Sequence, residues 1–217
     1  MTQRKVARRL SLIGLFVAAI FVTPALQAVP FGFQCFTNNS ASCPVIGAQL
    51  VMDVSGGPAG QVAFRFDNLG PIASSITRVY FDGTVVTGIA SITNGGGVNF
   101  SPGGSPGNLP SGMTLSPPFT ADFLAGSNAP TQPNGVNPGE WLILNVFLGA
   151  GQNLNTVLGA LGNGNLRVGM HLQGLPTGAS ESLVNTPTPI PEPTSLLLLG
   201  SGLVGAGRML RRRPTAR

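Results

Sequence analysis

Serine, histidine and carboxylates are the groups in this sequence that could do chemistry, and their spacing decides whether they do. Gly103-Gly104-Ser105-Pro106-Gly107 reproduces the GxSxG pattern that holds a nucleophilic serine on a sharp strand-to-helix turn. That turn builds its oxyanion hole from the backbone N–H after the serine, and Pro106 has none. A helix must follow it, and a run of Gly, Pro and Ser follows instead, so the stretch reads as a loop. Gly200-Ser201-Gly202-Leu203-Val204-Gly205 matches GxGxxG, but a dinucleotide site then needs a helix, a second strand and an acid about twenty positions on. Arginines follow instead. His171 is the single histidine, so a zinc site of ordinary ligand count cannot be assembled around it. Its strand places it opposite Val168 and Met170, which reads as an exposed imidazole. Asp53, Asp67, Asp82, Asp122, Glu140 and Glu181 could supply a glycosidase pair, yet no motif singles out two of them. The same acids leave Ca²⁺ binding open, although no DxDxDG-type loop is present. The reading is a protein without enzymatic machinery, cofactor or metal.

Cys35 and Cys43 are the two cysteines. They fit one disulfide closing a short loop, worth roughly 2–3 kcal/mol by chain entropy for about nine residues. The competing assignments are a metal pair or a redox dithiol, which a CxxC motif or a nearby histidine would support; neither is present.

The elements that must carry these residues are short strands. Charged residues make up 9% of the chain while Gly (31) and Pro (19) are abundant, a composition of many turns and few long helices. Val62, Phe64 and Phe66 recur at the two-residue period of a half-buried strand, as do Leu166, Val168, Met170 and Leu172. Gln49 to Val54, Ile76 to Asp82 and Val85 to Thr93 read likewise, the last with a bend at Gly88. Trp141 to Leu148 is apolar on both faces and suits a central strand, with Trp141 in the core. Asp82-Gly83 between two such runs signals a hairpin. Leu154, Val157, Leu158 and Leu161 follow helical spacing. The stretch Gly95 to Pro118 reads as a long exposed loop, and no internal repeat is visible. Seven or eight strands predict a mainly β, antiparallel sandwich or jelly-roll-like single domain over residues 29–185.

A net charge of +5 invites a nucleic-acid reading, which the placement of the charges rejects. Nine of the twelve basic residues lie in the two ends of the chain. Between residues 29 and 190 only Arg65, Arg78 and Arg167 face the six acids, a net of −3 that repels polyphosphate.

Both ends read as addresses. Arg4-Lys5-Val6-Ala7-Arg8-Arg9, an apolar core from Leu10 to Val22, Pro24 and a small-residue close at Ala28 have the order of a secretory signal peptide over residues 1–28. This predicts passage through the Sec translocon and cleavage by signal peptidase after Ala28, with Ala25 as the alternative. At the other end Thr186-Pro187-Thr188-Pro189 reads as an extended Pro/Thr linker, residues 186–190. Pro191-Glu192-Pro193 follows, then an apolar helix from Leu196, then Arg208, Arg211, Arg212 and Arg213. From Leu196 to Leu210 a helix extends about 22 Å, short of the roughly 30 Å hydrocarbon core, and four glycines weaken it. The arginines favour a cytoplasmic end, leaving the Pro-Glu-Pro tripeptide on the outer side.

The tripeptide, apolar helix and terminal basic cluster of residues 191–213 resemble the PEP-CTERM sorting signal of Gram-negative bacteria. That resemblance implies recognition and processing by an exosortase, a membrane-embedded cysteine enzyme, and an association with exopolysaccharide and the cell surface. Ser74 to Asp82 and Asn134 to Trp141 also resemble an uncharacterised group of short exported proteins with the same signal, which implies no activity. The expectation is therefore an exported structural or interaction protein, held transiently in the inner membrane and then passed to the cell surface or extracellular matrix. A carbohydrate-binding module for exopolysaccharide is the alternative, and a secreted hydrolase a weaker one.

Overall fold

Period-two alternation is resolved into strands wherever it occurs. The computed structural model describes residues 28–189. In chain order these form β1 (Val29–Cys35), α1 (Cys43–Ala48), β2 (Leu50–Gly56), β3 (Gln61–Asn68), β4 (Ser75–Asp82), β5 (Val86–Asn94), β6 (Phe100–Pro102), β7 (Phe123–Ser127), β8 (Trp141–Leu148), α2 (Leu154–Asn163), β9 (Arg167–Gln173) and β10 (Glu181–Pro189). The mainly β, antiparallel expectation holds. The strands form one sheet, however, in the order β5-β8-β3-β2-β1-β10-β9-β4-β7-β6, rather than the two sheets of a sandwich. The two flanking helices expected at the ends lie outside the described residues.

This sheet curls until it is nearly closed. Phe64 on β3 meets Phe81 on β4 edge-to-face at 5.1 Å, although the two strands are far apart in the sheet order. Phe81 in turn stacks on Phe123 of β7 at 4.8 Å. Met52, Val54, Val62, Phe64, Phe66, Leu142, Leu144 and Val146 point inward and are fully buried, each contributing about 1.5–3 kcal/mol. At the seam the Asn94 side chain joins β5 to β6: the Phe100 N–H donates to Asn94 Oδ1 at 2.9 Å, and Asn94 Nδ2 donates to the Phe100 carbonyl at 3.4 Å. Helix α2 buries Val157, Ala160 and Leu161 and starts with a capping box between Asn153 and Thr156.

Three local expectations are corrected. Asp82-Gly83 does not turn a hairpin, because β4 and β5 do not pair. Gly83 has φ +144° and lies so close to Asn165 that a Cβ would sit 2.4 Å from its carbonyl oxygen, so the glycine serves a close backbone crossing. Gly95 to Pro118 is not a free loop. It contains β6 and a 3₁₀ turn at Gly112–Thr114, and Leu109 packs with Phe119, Tyr80, Leu124 and Val184 in a second small core on the outer face. Asn108 ties this segment down, donating to the Phe119 carbonyl and accepting from the Ala121 N–H, both at 3.0 Å. Gly169 on β9 makes the room, since a Cβ there would come within 2.7 Å of Leu109. Finally, Thr186 to Pro189 continues β10 instead of leaving the sheet as a stalk.

Candidate functional site

The last described residues, Glu181–Pro189, form β10. β1 pairs with β10 from Cys35↔Leu183 to Phe31↔Pro189, so the chain entering at Ala28 and the chain leaving at Pro189 meet at one rim. Pro187 and Pro189 bring no N–H to this pairing, and residues 187–189 are exposed. Ala28 is exposed immediately before β1. Pro191, Glu192 and Pro193, with the cluster Arg208, Arg211, Arg212 and Arg213, lie outside the described residues.

Cys35 and Cys43 form a disulfide, with Cα atoms 5.9 Å apart, that ties β1 to the start of α1. The loop it closes is held a second time by Glu181. This carboxylate is fully buried at the start of β10, and accepts hydrogen bonds from the Thr37 hydroxyl and the Ser40 N–H. Glu181 is thus an internal clamp.

The remaining acids are placed by their own partners. Arg65 donates to both oxygens of Asp67 at 2.7 Å and lies 4.8 Å over the ring of Trp141. Trp141 is therefore half-buried on the outer face, not in the core, because β8 starts with its indole directed away from the inward set Leu142, Leu144 and Val146. Asp53 stands across from Arg65, and its carboxyl is pushed up by burial first and by Asp67 second. Asp82 pairs with Arg167, whose guanidinium also donates to the carbonyls of Pro117 and Pro118. Asp122 accepts the Gly83 N–H at 2.8 Å, and Glu140 accepts from the Asn137 N–H at 2.9 Å. Among the described residues no three His, Cys, Asp or Glu side chains gather as a metal site would need.

His171 departs furthest from the sequence reading. It does face away from Val168 and Met170, yet it is only 8% exposed, because that outer face is itself covered. Its direct cross-strand partner is Arg78 on β4. Desolvation first and the Arg78 charge second push the imidazole below its ordinary pKa. His171 Nδ1 and Arg78 Nε are buried without a hydrogen-bond partner within the protein. Alternation on β9 gave the side-chain direction; the covering segments come from distant sequence, so burial was not readable.

The segment containing Ser105 is a loop following β6, with no helix behind it. The glycine run at 200–205 lies outside the described residues. No curated protein and no solved structure matches the chain. The family model described as the PEP-CTERM protein-sorting motif matches residues 189–213, beginning at the last residue of β10. The motif implies export that depends on an exosortase. Sheet and signal are thus contiguous, and the chain is a protein carrying the PEP-CTERM sorting signal.

Proposed function

We propose that the protein is a non-catalytic component of the cell surface or extracellular matrix. It enters the inner membrane through its two ends, is cut at Pro191-Glu192-Pro193, and is handed on as a folded β domain. The match at residues 189–213 carries this reading. The partnered state of most of the carboxylates supports a structural or interaction role, since Asp67, Asp82, Asp122, Glu140 and Glu181 each hold a backbone or side-chain group in place. Fractionating cells with and without the processing enzyme tests it. The expected outcome is a shortened surface or extracellular form in the first case and a full-length inner-membrane form in the second. A cytosolic protein, or a surface form that keeps its terminal arginines, overturns it.

A further inference from the structure

The chain contains three Asn-Gly steps, at Asn94-Gly95, Asn134-Gly135 and Asn163-Gly164. Before a glycine, the following backbone nitrogen can reach the asparagine amide, because no side chain obstructs the approach. Folding decides which step can react. The Gly95 N–H donates to the Trp141 carbonyl at 3.1 Å, and the Asn94 side chain is held at both ends on Phe100. The Gly135 N–H donates to the Gln132 carbonyl at 3.2 Å, and Asn134 Nδ2 donates to the carbonyls of Asn128 and Ala129. Gly95 and Gly135 are both buried. The related Asp82-Gly83 step is closed in the same way, with the Gly83 N–H on Asp122 and the Asp82 carboxylate on Arg167.

Asn163-Gly164 differs on each count. It lies at the end of α2, and the residues from Gly162 to Asn165 are all exposed. Gly164 has φ +80°, and a Cβ placed there would meet no atom within 4 Å. Among the described residues the Gly164 N–H has no hydrogen-bond acceptor, since the turn is closed two residues later by the Leu166 N–H on the Ala160 carbonyl at 3.0 Å. The Asn163 side chain folds back over this nitrogen, its Oδ1 accepting the Asn165 N–H at 3.0 Å. That donor also stabilises the negative charge that gathers on Oδ1 when its carbon is attacked. Asn163, Gly164 and Asn165 line an open groove of about 380 Å³, so water reaches them.

We propose that Asn163 is a site of self-modification, at which the chain is its own reactant and water the co-reactant. The Gly164 nitrogen gives up its proton and bonds to Asn163 Cγ, and Nδ2 leaves with that proton as ammonia. The cyclic imide so formed takes up water at either of its carbonyls. Opening at Cγ leaves aspartate. Opening at the main-chain carbonyl leaves isoaspartate, with the backbone routed through the former side chain. Either product sets a carboxylate at the C-terminus of α2, where the helix dipole opposes negative charge, and so loosens the turn into β9. This goes beyond the sorting role and does not depend on where the processed protein resides.

The test incubates the full chain in detergent micelles at mildly alkaline pH, beside a sample unfolded in guanidinium chloride, and follows the three steps by peptide mass spectrometry. In the folded protein the peptide holding Asn163 is expected to gain about 1 Da, and about 2 Da more in ¹⁸O-water, as two isomers separable by chromatography. Fragmentation should place the change at residue 163. The gain should run at least roughly tenfold faster than at Asn94 and Asn134, a ratio equivalent to about 1.4 kcal/mol of barrier. In the unfolded sample the three rates should draw together. Equal rates at the three steps of the folded protein overturn the proposal, as does the same tenfold ratio in the unfolded chain. An Asn163 peptide that stays unchanged while the unfolded chain reacts also overturns it. Asn163→Gln should abolish the gain in that peptide, and a gain that persists there refutes the assignment to Asn163.

Discussion

Phe31 of β1 and Pro189 of β10 are direct cross-strand partners, so the two ends of the described domain emerge side by side. Only Ile190 separates Pro189 from the Pro191-Glu192-Pro193 tripeptide. The strands that carry these ends, β1 and β10, are the two central strands of the sheet.

Replacing Glu192 or Pro193 by alanine is expected to stop processing without disturbing the sheet. Mass spectrometry of envelope fractions should find the precursor with its arginine-rich tail intact. Normal maturation of both variants would refute the assignment of the cleaved region.

Gly83→Ala should destabilise the domain by about 2–4 kcal/mol, combining a positive-φ penalty with a backbone clash. The geometry is φ +144° and a Cβ 2.4 Å from the Asn165 oxygen. Urea unfolding measures the loss. A change below half a kcal/mol would mean the crossing relaxes freely.

Glu181→Gln should cost roughly 1–3 kcal/mol, because a buried clamp on Thr37 and Ser40 loses its charge. The effect should be local. Hydrogen exchange at the Ser40 amide is expected to accelerate more than exchange in β3.

Opening the Cys35–Cys43 bond removes a constraint from the unfolded chain and should cost about 2–3 kcal/mol. Paired Cys→Ser variants, compared with the parent in urea, provide the measurement. An unchanged midpoint would show that Glu181 alone secures the loop.

Acidification should weaken the fold through His171. Its native pKa lies below the ordinary 6.5, so the unfolded chain takes up a proton that the native state refuses. Stability is then complete at neutral pH and falls as pH drops below 6.5, by at most about 1.4 kcal/mol per unit. Asp53 acts in the opposite sense: its raised native pKa makes protonation favour the folded state as pH falls through that value. His171→Gln should flatten the profile just below pH 6.5 and leave the Asp53 contribution intact.

Much of the architecture was legible because alternation is a local signal. Val62, Phe64 and Phe66 show their inward face without reference to any other strand. The turn to α2 was legible too, since Leu154, Val157, Leu158 and Leu161 share one helical face. What remained hidden was non-local. Asp82-Gly83 has hairpin chemistry, yet β5 pairs with β8 more than fifty residues later. Leu109 lies in a Gly/Pro/Ser-rich stretch, and only the missing side chain of Gly169 shows why it docks. The sorting signal was readable for the opposite reason, because its order of tripeptide, apolar run and arginines is linear. The Arg78–His171 pair required the register of β4 against β9, which no spacing encodes.

The Asn94 link between β5 and β6 has a consequence for assembly. It fastens the terminal strands to each other at one corner of the sheet, where Asn94 occupies the backbone N–H and carbonyl of Phe100. Strand-to-strand addition of a second copy is thereby confined to the stretch of β5 before Asn94, which pairs with β8 alone.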